Sequence, residues 1–227
     1  MLAASETART QGIVHVVPQQ HVFYSDGVFQ PLNFDIDING DGTPDFTLSS
    51  LPGGGSTGVF TAIISPLGNN SVVAIPEPPP DLGYLLAAVN QGTSIGSSLT
   101  SIFNAQWYNN QTDQFGNAAI GAEALIDNQL SVIGNFAGLS SAYIGFNLVD
   151  NGNNYYGWMQ VSNPLNDVYG DIVDWGYESS PNTPIEAGAV PEPSTWGLLM
   201  LGAILFFVKR KRPSFPKAAR LCWNSGN

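Results

Sequence analysis

The stretch YIGFNLVDNGNNYYGWMQVS, residues 143–162, decides the fold class of this chain. In its first half Ile144, Phe146 and Leu148 alternate with other residues, and apolar residues at every second position are typical of a strand with one buried face. The turn-forming run DNGNN follows, and YYGWMQV then resumes a strand pattern. Asn and Gly between two such runs favour an antiparallel connection. Residues 142–161 are therefore predicted to form a β-hairpin.

Strand patterns continue on both sides of this hairpin. Downstream, Val173, Trp175 and Tyr177 occupy alternate positions and are predicted to line one face of a further strand. Residues 82–90 are compatible with either a short helix or a buried strand. The other predicted strands lie at residues 12–17, 45–50, 58–64, 71–75 and 130–136. Many short strands between Gly, Pro and Asn turns indicate a mainly β chain, and we expect an antiparallel β-sandwich or jelly-roll-like domain.

Charge is distributed unevenly along the chain. Arg9 is the last basic residue before Lys209, so residues 10–208 carry 17 carboxylates and no Lys or Arg. This body cannot form Lys or Arg salt bridges, and it would repel the phosphates of nucleic acid, which we therefore exclude as a partner. Phosphoryl transfer that needs a cationic clamp is excluded for the same reason. The single cysteine, Cys222, leaves the body without disulfide or thiol chemistry.

The most chemically distinctive stretch is FDIDINGDGTPDF, residues 34–46. It begins with the alternation of a strand and continues into a turn rich in Asp, Asn and Gly. Oxygen-bearing residues recur at alternate positions, and Gly42 allows a sharp bend between them, as calcium-binding loops require. The predicted calcium ligands, the last through its backbone carbonyl, are Asp37, Asn39, Asp41, Asp45 and Thr43.

Two other interpretations compete with this calcium loop. An EF-hand loop would begin at Asp35 and require Glu at its twelfth position, where Phe46 stands, so the stretch is not an EF-hand. Its Asp-x-Asn-x-Asp-Gly-x-x-Asp spacing instead resembles the calcium loops of β-propeller repeats and other extracellular β proteins. An Asx-rich turn between two strands remains the alternative, because Asn-Gly and Asp-Gly occur in such turns without any metal.

The C-terminal region combines three features in a fixed order. Residues 190–195, VPEPST, contain two prolines that keep the backbone extended. An apolar run at 196–208 follows, and 13 residues in a helix cover about 20 Å at about 1.5 Å per residue. That length is short for a bilayer, but four basic residues follow directly, and such charges reach the headgroups and keep their end in the cytoplasm. These basic residues are Lys209, Arg210, Lys211 and Arg212. We therefore predict a short transmembrane helix with the body outside the cytoplasm.

This order of features resembles the PEP-CTERM sorting signal, a module also labelled ice-binding-protein C-terminal domain. The resemblance implies that an exosortase, a membrane protease-transpeptidase, recognises the motif and cuts the chain near it. It also implies export through a transient membrane-anchored stage to the cell surface or the extracellular space, in bacteria that make exopolysaccharide. The residues that match the motif are Val190, Pro191, Glu192 and Pro193. An ordinary single-pass anchor is the alternative.

Residues 142–193 also look like the terminal strands of many proteins that carry this tail, which implies a β-rich ectodomain of unassigned activity. Four aromatic residues of this region are expected in core or cross-strand contacts, with a sugar-stacking platform as the alternative. They are Tyr156, Trp158, Trp175 and Tyr177.

One short pattern suggests an enzyme. GTSIG at 92–96 matches the Gly-x-Ser-x-Gly nucleophile pattern with Ser94 at its centre, but the two histidines, His15 and His21, both precede it, whereas an α/β-hydrolase places its histidine after the serine. Two histidines without a third ligand also do not define a zinc site. Paired carboxylates for glycoside hydrolysis stay open, since 17 acids allow many combinations.

The sequence therefore predicts a non-enzymatic, exported protein with a structural or adhesive role in exopolysaccharide or biofilm, and calcium in one loop. A polysaccharide-binding module is the second hypothesis, and a polysaccharide-active hydrolase or lyase is the third. The predicted segments are a disordered or truncated N-terminus (1–11), a β-sandwich ectodomain (12–178), a Pro-rich linker (179–189), the sorting signal (190–212) with its helix (196–208), and a cytoplasmic tail (213–227).

Overall fold

A computed structural model shows how the body of the chain folds. The residues it describes are 4–10, 12–18, 22–23, 32–52, 60–76, 84–109, 118–126, 129–136, 138–162 and 171–191. Most of the predicted sorting signal, including its helix and basic residues, lies outside these ranges, as does the predicted cytoplasmic tail. Within them, no helix has the length and apolar character needed to cross a membrane.

The described residues form 16 β-strands. Their bounds are β1 (Ala4–Thr10), β2 (Ile13–Pro18), β3 (Val22–Phe23), β4 (Leu32–Ile36), β5 (Phe46–Pro52), β6 (Phe60–Pro66), β7 (Ser71–Pro76), β8 (Tyr84–Leu86), β9 (Ser94–Ile95), β10 (Gln106–Tyr108), β11 (Ala118–Ile126), β12 (Gln129–Ile133), β13 (Ser141–Asp150), β14 (Asn153–Ser162), β15 (Asp171–Glu178) and β16 (Ile185–Glu186).

Fourteen of these strands belong to one sheet. Its main order is β1-β2-β15-β14-β13-β7-β8-β11-β6-β5-β4, while β3, β10 and β12 pair to the side of this path. Strands β9 and β16 form a separate antiparallel pair. Neighbouring strands run antiparallel, apart from a short parallel pairing of β8 with β11. The prediction of a mainly β, antiparallel chain is therefore confirmed.

The large sheet bends back over itself. Between β5 and β13 lie five strand-to-strand steps, which in a flat sheet would span about 24 Å at about 4.8 Å per step. Yet the ring centroids of Phe46 on β5 and Phe146 on β13 are only 5.6 Å apart. The indole of Trp175 on β15 likewise donates a hydrogen bond to the carbonyl of Ile38, just after β4 (3.2 Å). The two ends of the sheet therefore face each other across a core.

Apolar side chains pack in two clusters. The larger cluster fills the space between the facing parts of the sheet and includes Phe46, Phe146 and Trp175. The smaller cluster includes Trp158 from β14 and Ile185 from β16, together with residues of β7 and β9. Because successive side chains of a strand point to opposite faces, the central strands β7 and β14 supply residues to both clusters.

The hairpin of β13 and β14 is confirmed, with ten residue pairs from Ser141–Ser162 to Asp150–Asn153. Its turn consists of Asn151 and Gly152, whose φ angles are 49° and 77°. Two consecutive positive φ angles define the type I′ turn that Asn-Gly favours. The deciding stretch of sequence therefore folds as its pattern predicts.

The face predicted for the next strand is wrong at one position. The pairing of β14 with β15 shifts register after Gln160, so that Val173 has no partner opposite it. Such a bulge turns the following side chains relative to the earlier ones. As a result Trp175 is buried, Tyr177 is half-buried, and Val173 is 40% exposed.

Three other segments differ from their expected form. Residues predicted as a disordered or truncated N-terminus contain β1, which pairs with β2. The ambiguous segment at 82–90 contains strand β8 and a bridge from Val89 to Tyr143, and its described residues, 84–90, form no helix. Residues 179–189, interpreted as a linker, pack on the body through β16, because their backbone and small apolar side chains find partners there.

Candidate functional site

The Asp-rich loop, residues 37–45, connects β4 to β5. Ile36 and Phe46 form the last pair of this hairpin, and the amide of Asp45 donates to the carbonyl of Ile36 (2.8 Å). Gly40 and Gly42 have φ angles of 77° and 93°, which residues with a Cβ atom rarely adopt. The two glycines therefore let the chain coil tightly between two buried strand ends.

Side chains of the loop accept hydrogen bonds from its own backbone. The two carboxylate oxygens of Asp37 accept from the amides of Gly40 (2.7 Å) and Gly42 (2.9 Å). Asn39 accepts from the amide of Asp41 (2.9 Å), and Asp41 accepts from the amide of Thr43 (2.7 Å). These bonds hold Asp37, Asn39 and Asp41 within one tightly coiled turn.

Asp45 connects the loop to the rest of the domain. Its carboxylate accepts from the amide of Ile38 (2.8 Å) and from the side-chain amide of Asn70 (3.1 Å). The side-chain oxygen of Asn70 in turn accepts from the amide of Val149 on β13 (2.8 Å). Asp45 and Asn70 are both buried. Sequence reasoning missed Asn70, because a single Asn in the turn between β6 and β7 carries no pattern that links it to a loop 25 residues earlier.

Two carboxylates of the loop, one buried and one exposed, have pKa values that are shifted in opposite directions. Burial raises the pKa of Asp45, although the Ile38 amide and the Asn70 side chain oppose this, and the negative charges of Asp37 and Asp41 raise it further. The exposed Asp41 has a lowered pKa, chiefly because the amide of Thr43 donates to its carboxylate. The charges of Asp37 and Asp41 therefore act on the buried carboxylate of Asp45.

A cleft of about 540 Å³ opens beside the loop. Its lining includes Asp41, Thr43 and Asp45 of the loop, Asn69 and Asn70 of the turn between β6 and β7, and Asp150 at the end of β13. Its polar lining consists of oxygen- and amide-bearing side chains from three separate segments of the chain.

The donor set of the loop fits a hard cation. Each of the six carboxylate oxygens of Asp37, Asp41 and Asp45 accepts a hydrogen bond, and a carboxylate has about four lone-pair sites, so further sites stay open. Calcium prefers such all-oxygen surroundings. In the part of the chain that the structure describes, no three His, Cys, Asp or Glu side chains form a metal-binding group as they stand. Calcium binding by this loop therefore stays a prediction.

The aromatic residues of the terminal strands are core residues. Tyr156, Trp158 and Trp175 are exposed by 4%, 1% and 1% respectively. Tyr156 stacks with Trp107 at a centroid distance of 5.7 Å, and the rings of Tyr143 and Trp158 meet edge to face at a centroid distance of 5.4 Å. The expected core packing is confirmed for these three side chains, which offer no platform to a sugar.

The candidate nucleophile Ser94 lies on the two-residue strand β9, opposite Glu186. Its carbonyl accepts from the hydroxyl of Ser101 (3.1 Å). His15 lies on β2, where its Nε2 atom is 2.8 Å from a carboxylate oxygen of Asp174. Among the residues that the structure describes, no contact joins Ser94 to His15, and His21 lies outside the described ranges.

The sorting motif begins at Val190, four residues after the end of β16. The indole of Trp158 donates to the carbonyl of Ala189 (3.2 Å), and Val190 beyond it is 48% exposed. Pro191 is the last described residue, so Glu192, Pro193 and the residues from Lys209 to Arg212 lie outside the described ranges.

When the chain is compared with known protein families, a match is found at this end of the chain. The family model of the PEP-CTERM protein-sorting motif matches residues 189–212. No curated protein and no solved structure matches the chain. The matched residues contain the Val-Pro-Glu-Pro sequence, the apolar run and the basic cluster in the predicted order. The chain therefore carries a PEP-CTERM protein-sorting motif, which indicates an exported protein that passes through the membrane and is processed by an exosortase.

Proposed function

We propose that this chain is a non-enzymatic surface or extracellular-matrix protein, with a β-sandwich ectodomain that has a structural or adhesive role in exopolysaccharide or biofilm. Calcium binds the Asp-rich loop and stabilises it in this proposal. The sorting motif supports export and exosortase processing. The fold supports a rigid ectodomain, because its aromatic side chains fill two cores.

One observation carries the proposal: three carboxylates lie in a single turn close enough for two of them to act on the third, and residues 10–208 contain no Lys or Arg. A calcium ion would bind side-chain oxygens of Asp37, Asn39, Asp41 and Asp45 and the carbonyl of Thr43. Its two positive charges would favour the ionised form of Asp45, whose pKa is raised by burial and further by the charges of Asp37 and Asp41. Because the loop shares Asn70 with β13, an ion there would also stabilise the facing hairpin.

Thermal unfolding of the full chain in mild detergent tests the calcium site. We expect calcium to raise the Tm relative to chelator, since a ligand that binds only the folded state stabilises it. Asp41→Asn should abolish this response. Asp35→Asn is the matched control, because Asp35 is also exposed and lies next to the loop, where it accepts from the hydroxyl of Thr47 (2.9 Å). An equal Tm with calcium and with chelator for the unmodified chain would contradict the proposal.

Localisation tests the surface role separately. Cells with an active exosortase should carry the processed chain at the surface or in the extracellular matrix, and cells without it should retain the full chain in the membrane fraction. Loss of the gene should reduce biofilm mass or the retention of exopolysaccharide. An unchanged biofilm would contradict the structural role and leave the sorting itself intact.

A second candidate function rests on the cleft beside the loop. A hydrolase or lyase acting on polysaccharide needs paired carboxylates in an open cleft, and Asp41 and Asp150 both line this one. Purified protein would then degrade isolated exopolysaccharide, and Asp150→Asn would abolish the degradation. A polysaccharide-binding module is disfavoured, because the aromatic residues proposed as its platform are buried.

A further inference from the structure

The docked segment, residues 185–189, is paired along its backbone with residues 92–95. Ile185 lies opposite Ile95 in the pairing of β16 with β9. Beyond this pair, the amide of Ala187 donates to the carbonyl of Thr93 (2.9 Å), and the amide of Gly92 donates to the carbonyl of Ala187 (2.9 Å). The backbone of the segment therefore continues the strand pairing of the domain toward the sorting motif.

Side chains of the docked segment are part of the smaller core cluster. Ile185 and Ala187 are exposed by 3% and 1%. They pack in the cluster that contains Val73 and Trp158, and the indole of Trp158 reaches past them to the carbonyl of Ala189. Removing the segment from the domain would expose this cluster and leave the buried indole without its acceptor.

Gly188 shows how close the docked segment lies to the domain. Its φ angle is 77°, and a Cβ atom there would lie 2.7 Å from the hydroxyl oxygen of Tyr143 and 2.9 Å from its Cζ atom. Upstream, Asn182 and Asn154 exchange hydrogen bonds, and Pro184 contacts Gly96. These contacts hold Asn182, Pro184 and Gly188 against the body, whereas Val190 is exposed.

We propose that the bond cut during processing lies C-terminal to Ala189, and that the released ectodomain keeps the docked segment as a structural strand. This inference rests on the exosortase processing stated above. A protease binds its substrate as an extended chain with free backbone groups, so residues paired and buried in the domain are accessible only after local unfolding. The peptide C–N bond at or beyond Ala189–Val190 breaks, the acyl carbon passes to water or to an amine acceptor, and the downstream fragment leaves with the free amino group.

The C-terminal mass of the protein from cells with an active exosortase tests the boundary directly. We expect the processed chain to end at Ala189 or later, and cells without exosortase to contain only the uncut chain. A processed chain that ends anywhere before Ala189 overturns the inference. If exosortase-containing cells leave the chain uncut, the proposed processing fails, and the boundary is then decided by the experiment below.

Limited proteolysis of the purified full chain tests the docked segment without exosortase. A broad-specificity protease should remove the residues after Ala189 rapidly and stop at the segment. Gly188→Ala should move this stop upstream of Ile185 and increase cleavage within the segment about tenfold, because an inserted methyl group in a tight contact destabilises the local structure. Gly152→Ala is the matched control, since Gly152 has the same φ of 77° but nothing lies within 4 Å of its Cβ position.

Two further variants separate the contact from general unfolding. Tyr143→Phe in the Gly188→Ala background removes the hydroxyl that the new methyl group meets and should restore part of the protection. If Gly188→Ala fails to fold by thermal melting, Trp158→Phe replaces it, because this change removes the donor to Ala189 and keeps an aromatic ring. Folded Gly188→Ala or Trp158→Phe protein with an unchanged stop overturns the inference.

Discussion

The Asp-rich loop and the docked segment are each bonded to the sheet by one tryptophan. Trp175 on β15 donates to the carbonyl of Ile38 in the loop, and Trp158 on β14 donates to the carbonyl of Ala189 in the segment. The two tryptophans occupy neighbouring positions on adjacent strands, since Met159 pairs with Trp175. They lie in different core clusters and so serve opposite faces of the same pair of strands.

The other contacts of the two regions differ in kind. The loop keeps its shape through hydrogen bonds from its own amides to Asp37, Asn39 and Asp41, all at the surface. The docked segment instead relies on buried apolar side chains and strand pairing. A region ordered by exposed charged groups responds to ions, whereas a region ordered by burial responds to changes in packing. The loop is therefore suited to binding an ion, and the segment is suited to forming the C-terminal boundary of the folded domain.

The largest expected effect is the loss of either tryptophan ring. Trp158→Ala and Trp175→Ala should each lower the free energy of unfolding by about 3–5 kcal/mol, the usual cost of deleting a large buried aromatic side chain. Denaturant unfolding measures the loss. Hydrogen exchange should show where it acts: at Ala187 and Ala189 for the first variant, and at Ile38 and Asp45 for the second. Equal loss of protection in both regions for both variants would contradict separate attachment.

The second-largest effect is expected from calcium, which should stabilise the Asp-rich loop and leave the docked segment unchanged. At a concentration of about 100 times its Kd, calcium should stabilise the folded chain by about 2.7 kcal/mol. Hydrogen exchange should slow at Gly40, Gly42 and Thr43, because ordering the loop around an ion reduces its local opening. The amide of Ala187 should exchange at an unchanged rate. Slowing at Ala187 equal to that in the loop would show that the two regions do not respond independently.

Asn70→Ala should weaken the loop and leave the docked segment unchanged. The substitution removes the acceptor of the Val149 amide and a donor to the buried Asp45 carboxylate, and leaving buried groups unpaired costs about 1–3 kcal/mol. Asn69→Ala is the matched control, because Asn69 is the exposed neighbour in the same turn and a surface substitution should change stability by about 0.5 kcal/mol or less. Equal unfolding midpoints for the two variants would contradict the role of Asn70.

Local patterns in the sequence predicted those parts of the fold that depend on neighbouring residues. The Asn151–Gly152 turn and the alternation of Ile144, Phe146 and Leu148 identified the central hairpin, because turn geometry and strand period are properties of adjacent residues. The bulge at Val173 was not predictable, since it depends on how β15 pairs with a strand that lies elsewhere in the chain.

In the candidate site, too, features that depend on neighbouring residues were predictable, and features that depend on distant residues were not. The spacing of Asp37, Asp41 and Asp45 predicted an Asp-rich turn, but not its connection to β13 through Asn70. The prolines in residues 179–189 suggested a linker, while the strand pairing of Ile185 depends on partners about 90 residues earlier. Contacts between distant parts of the chain determine whether such a segment packs on a domain, and a single sequence does not contain them as a pattern.

The smallest and most selective test replaces each indole by a phenyl ring. Trp158→Phe and Trp175→Phe keep a buried aromatic side chain but remove the Nε1–H donor, so a backbone carbonyl loses its partner and the free energy of unfolding should fall by about 1–2 kcal/mol. Limited proteolysis should then distinguish the two variants, because Trp158→Phe should expose residues 185–189 to the protease and Trp175→Phe should not. Trp175→Phe should instead weaken the calcium-dependent rise in Tm, since Ile38 lies within the loop and its amide also donates to Asp45. The contrast between the loop and the docked segment would be contradicted if Trp175→Phe lowered the protease resistance of residues 185–189 as much as Trp158→Phe did.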